Sequence, residues 1–159
     1  MKKRVLIPVI IILGIVLLVF LLPLPSRINK QMSGVWAFSE NQEPTTTVIT
    51  LNGRLDRYLV RRDCWNGMIE VSGFPPLDSG KHLKLKLESL DKNTFYGNLF
   101  MFDELKNRYT VYGTLYFDKN LSYVVLKVSK AYGDGCICAP AENDVEAKLL
   151  IDRIPLALY

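Results

Sequence analysis

Leu83-Lys84-Leu85-Lys86-Leu87-Glu88 puts an apolar residue at every second position and a charged one between. That is the period of a strand with one face on a core and the other in water. His82 falls on the charged face with Lys84 and Lys86. Val124, Leu126 and Val128, alternating with Val125, Lys127 and Ser129, repeat the pattern. Thr45 to Leu51, Leu55 to Arg61 and Met68 to Gly73 are rich in β-branched residues and read as further strands. Asn52-Gly53, Asn66-Gly67, Asp91-Lys92-Asn93 and Asp118-Lys119-Asn120 read as turns between them, Asn-Gly because it supplies the positive φ of tight hairpins. Phe74 to Gly80 reads as one longer loop. The expected fold is mainly β, an antiparallel meander of about seven or eight strands forming a small barrel or curved sheet.

The last segment, residues 142–154, admits two readings. Val145 to Ile151 fits a strand by alternation. Ala147, Leu150, Ile151 and Ile154 also fit one face of a helix, with Glu142, Asp144 and Glu146 near its positive end and Pro155 stopping it. A short C-terminal helix is the preferred expectation.

At the other end, Val5 to Leu22 is an unbroken apolar run preceded by Lys2, Lys3 and Arg4. As a helix it spans roughly 27 Å, close to the hydrocarbon thickness of a bilayer. It predicts one N-terminal transmembrane helix. The rival is a cleaved signal peptide, whose apolar core is shorter and ends in a small-x-small site that Pro23-Leu24-Pro25-Ser26-Arg27 does not supply. The basic flank predicts a cytoplasmic N-terminus and an extracytoplasmic domain, hence a single-pass protein of the cell membrane. The expected division is 1–25 for cytoplasmic stub and anchor, 26–33 for a linker and 34–159 for the β-rich domain. Three of the 20 Lys and Arg residues belong to that flank, and the rest nearly balance the 16 Asp and Glu, so no nucleic-acid partner is expected. Arg54, Arg57, Arg61 and Arg62 form a local basic patch, read first as solvated strand edges and second as an anion site.

Two expected strands are apolar on both faces. In 94–102, Phe95, Leu99 and Met101 take one side while Tyr96, Phe100 and Phe102 take the other. In 109–117, Tyr109, Val111, Leu115 and Phe117 alternate with Tyr112 and Tyr116. Either the C-terminal segment covers the second face or that face binds an apolar ligand or an envelope protein. Tyr96, Phe100, Tyr112 and Tyr116 are its candidate binding residues.

Cys64, Cys136 and Cys138 are disulfide candidates, with Cys64 joined to one of the other two. An alternative is a small envelope redox or metal protein using these thiols and His82. The ligand spacing of a metal site is missing, so no metal and no cofactor is expected. A single histidine, no nucleophile context and no phosphate-binding glycine loop argue against an enzyme.

Gly34-Val35-Trp36, just ahead of the meander, resembles the Gly-x-Trp opening of lipocalin-type barrels. The resemblance covers three residues. It implies a barrel closed at one end by the tryptophan, with an interior that holds small apolar ligands. The expected function is a membrane-anchored extracytoplasmic binding or envelope-interaction module, including the role of an immunity-type protein.

Overall fold

The computed structural model describes residues 10–15, 17, 22–38, 43–59, 62–103, 107–133 and 135–154, with the backbone alone at 38 and 101–103. Nine strands form one antiparallel sheet: β1 (Leu24–Phe38), β2 (Thr45–Arg57), β3 (Cys64–Val71), β4 (Lys81–Lys86), β5 (Glu88–Ser89), β6 (Thr94–Asp103), β7 (Arg108–Asp118), β8 (Val124–Val128) and β9 (Gly135–Ala139). Strands adjacent in sequence pair in space, and the meander curls until β1 meets β9. The circuit is not closed. It stays open between β4 and β5, consecutive pieces of one segment parted by Leu87, of which β4 pairs with β3 and β5 with β6. The expected curved antiparallel sheet is therefore present, without closure into a barrel.

The alternation at 83–88 does what its period requires. Leu85 and Leu87 are buried while Lys84 and Lys86 are exposed. The concave side holds a packed core that includes Ile49, Leu51, Trp65, Ile69, Leu99, Leu126 and Ile137. One end is stoppered by the loop after β3, whose Phe74 and Leu77 are fully buried. Trp36 meets Phe74 edge-on at 5.6 Å, and Phe74 meets Tyr112 at 6.4 Å. Trp36 thus packs against this loop, but the sheet it belongs to is not closed into the barrel that the three-residue resemblance implies. The interior is occupied by protein side chains.

A second cluster lies on the convex side, where helix α1 (Asp144–Ile151) covers part of the sheet. Ala147, Leu150 and Ile154 pack there with Val35, Tyr116, Val125 and Cys138. Asn143 caps the helix by accepting from the Glu146 amide at 3.0 Å, and the Glu146 carboxylate accepts from the Glu142 amide at 2.9 Å.

Three local expectations are corrected. Residues 26–33, expected as a linker, lie inside β1. Pro25 is tolerated there because pairing with β9 begins only at Val35, so this part of β1 has a strand neighbour on one side. Asn52-Gly53 and Asn66-Gly67 are not turns, because Gly53 and Gly67 face each other in the middle of β2 and β3. A Cβ on Gly67 would stand 2.4 Å from the Gly53 Cα, so the glycines permit a backbone approach that no other residue would allow. Asp91 and Asp118 do make turns, each carboxylate accepting backbone N–H groups a few residues on.

Of the expected transmembrane run, residues 10–15 and 17 are helical and exposed, while 5–9, 16 and 18–21 lie outside the described residues. No helix among the described residues is long and apolar enough to cross a membrane.

Candidate functional site

The four expected binding residues do not share one face. Tyr96 and Tyr116 sit side by side, rings stacked at 6.1 Å, and belong to the cluster under α1. Tyr116 is buried, so the covering segment that was the alternative to a binding face is present over this part. Phe100 is 51% exposed. Tyr112 points the other way, into the core. The cause is a bulge: Leu99 pairs with Gly113 but Phe100 pairs with Val111, leaving Tyr112 as the extra residue. One extra residue inverts the parity of every side chain beyond it. Val111 therefore joins Phe100 outside, and Tyr112 goes in.

Phe100 and Tyr96 line a groove of about 420 Å³ that runs along the open seam, with Leu83, Lys84, Leu85, Lys86, Glu88, Asn98 and Arg62. The seam exists because β5 holds β6 only at Phe95 and Tyr96. At Gly97 the strands are still close, since a Cβ there would stand 3.4 Å from the Lys86 carbonyl oxygen. Glu88 organises this end of the groove. One carboxylate oxygen pairs with Arg62 and the other accepts from the Tyr96 hydroxyl at 2.6 Å. That hydrogen bond, more than burial, raises the Tyr96 pKa from its ordinary value. The groove thus combines an exposed aromatic ring, a tyrosine locked in place and the side chains of Arg62, Lys84 and Lys86. It can bind a chain or small molecule carrying apolar and anionic groups.

The cysteines do not pair. None of the three is in a disulfide. Cys136 and Cys138 lie two apart on one face of β9, about 7 Å between Cα atoms and too far for a disulfide without backbone movement. Cys64 on β3 is separated from β9 by β2 and β1, and its row meets β1 at Pro25, ten residues along the strand from Val35, which faces Cys138. His82 is one strand further still, on β4. Among the described residues no three His, Cys, Asp or Glu side chains come together as a metal site would require. Burial pushes the Cys138 thiol up to about 12, with Cys136 and Asp144 adding to it. Cys64 is raised chiefly by burial, opposed by Lys84.

Sequence reasoning missed Arg62, Lys84, Lys86, Glu88 and Asn98 as groove residues. The charged face of 83–88 was visible, but its meeting with β6 depends on where the circuit fails to close. Comparison with protein-family models, curated proteins and solved structures finds no match to this chain.

Proposed function

We propose that the chain is a membrane-anchored, extracytoplasmic binding module whose partner lies along the open seam between β4 and β6. The observation that carries this reading is the exposed Phe100 ring at a groove flanked by Arg62, Lys84 and Lys86. An exposed aromatic beside an arginine is a composition enriched at protein-recognition surfaces, and the two lysines add charge that selects an acidic partner. The packed interior favours this outer groove over an enclosed ligand site. Val5 to Leu22 with its basic flank supports the anchor and its orientation. The partner is an envelope protein segment presenting acidic and apolar side chains, and neutralising a toxin is one form such binding takes.

The test is a photo-crosslinking residue placed at Phe100 in the full chain in its own membrane, with Lys148 on α1 as control position. The expected result is a discrete adduct from position 100 that Lys84→Glu and Lys86→Glu together abolish. Equal crosslinking from positions 100 and 148, or an adduct indifferent to both charge reversals, would sink the reading.

A further inference from the structure

A second surface, which meets the seam groove at Lys84, is built on the convex side of β1 to β4. Arg27 stands directly opposite Arg54, Arg54 opposite Asn66, and Asn66 opposite Lys84. Three cations and an amide therefore form one row across four adjacent strands. Arg27, Arg54 and Lys84 are all exposed. Directly opposed like charges destabilise a sheet, so this row is unfavourable to the fold that carries it. Asp56 offsets it in part through an ion pair to Arg54 at 2.7 Å. Beside the row is a shallow depression of about 490 Å³, lined by Arg27, Asn52, Arg54, Asn66 and His82 over the backbone of Gly53 and Gly67. Amide and guanidinium donors converge there, and no carboxylate lines it.

We infer that this cationic ladder docks on anionic phospholipid headgroups of the outward leaflet, the one that the proposed topology puts beside the domain. The inference rests on the anchor proposed above, because it takes its geometry from the chain path. Leu22 ends the apolar run and Leu24 begins β1. Arg27 follows Leu22 by five residues, at most about 17 Å of extended chain. A β1 that leaves the run at a low angle keeps this first cation within a Debye length, about 8 Å at physiological salt, of headgroup charge, and the ladder continues from it. The Arg27 fork and Lys84 suit phosphate oxygens, Arg54 being already held by Asp56 through Nε at 2.7 Å and Nη2 at 3.0 Å, and the amide of the intervening Asn66 is a donor that adds no charge. The domain is thereby laid sideways on the membrane.

The test uses the full chain in nanodiscs, either of phosphatidylcholine or enriched in phosphatidylglycerol, and reads the amine-labelling rate of Lys84 against that of Lys148. The expected result is Lys84 labelling about fivefold slower in the anionic discs, with Lys148 unchanged. Asn66→Asp supplies an internal counter-charge between Arg54 and Lys84. It should raise the Tm while removing the protection of Lys84, a divergence that a purely structural role would not produce. Equal Lys84 rates in the two discs, with the chain retained in both, overturn the inference alone. Loss of the chain from both discs overturns the anchor and this inference with it. Protection reproduced in phosphatidylcholine discs by inorganic phosphate makes the ladder a site for free anions and overturns the membrane as its occupant.

Discussion

Tyr112 is the residue whose position departs furthest from its place in the alternation, and its chemistry records that. Its ring is fully buried between Phe74 and Tyr132, and its hydroxyl has no hydrogen-bond partner among the described residues. Burial, and then Tyr132, push the phenol up to about 12 from its ordinary 10.0. Above pH 10 the unfolded chain gives up a proton that the native state retains. The unfolded state then binds fewer protons, so stability falls as pH climbs from 10 towards 12 and is unaffected by this group below 10. Cys138 adds a similar limb that begins at its ordinary value of 9.0. Tyr112→Phe removes the orphaned hydroxyl and the titration together. It is expected to change stability at neutral pH by no more than about 1 kcal/mol, in the favourable direction, and to flatten the alkaline limb. Urea midpoints followed from neutral to alkaline pH check both. A large loss at neutral pH would mean that the hydroxyl is paired in solution.

At the scale of elements, α1 has only eight residues, too few for an isolated helix to persist in water, so the sheet beneath it must hold it. Leu150, 7% exposed, is central to that contact, and Leu150→Ala is expected to cost about 2–5 kcal/mol while exposing Tyr116. Chemical denaturation measures the first, and the rate of tyrosine nitration at residue 116 reads the second. The same element shows what was legible in advance. Ala147, Leu150 and Ile154 share a helical face in the sequence, and that face is the one buried. The alternation of 83–88 was equally plain, because one strand with one wet face writes its period directly. What misled were residues whose local chemistry has two uses. Asn52-Gly53 and Asn66-Gly67 suit hairpin turns, yet their glycines serve close packing of two continuous strands, a role visible only once β2 and β3 are in register. The linker expected at 26–33 is strand, and the proline at its start, Pro25, fits a strand that has a neighbour on one side only there. The bulge at Leu99/Phe100 has no sequence signature here, so the expected aromatic face was assembled with the wrong parity beyond it.

For the whole molecule the decisive feature is the break in an otherwise complete circuit. Each of β1, β2, β3, β7, β8 and β9 has strand neighbours on both sides along some of its length, whereas β4 pairs only with β3 and β6 beyond Tyr96 pairs only with β7. An edge strand presents backbone groups with no ladder partner and opens at lower free energy than a strand held on both sides. Amide hydrogen exchange at 81–86 and 97–103 should therefore be faster than in stretches held on both sides, as it should at 24–34 of β1, and slowest in β8 with its buried Val124, Val125 and Leu126. The groove lies along those same two edges, so the proposed binding predicts a change in exchange there. A partner seated against Phe100 must slow exchange on both edges at once, because it covers both. If β4 and the far half of β6 exchange as slowly as β8 in the unbound chain, the seam is closed in solution by pairing between them, and the groove that depends on its opening is not the binding surface.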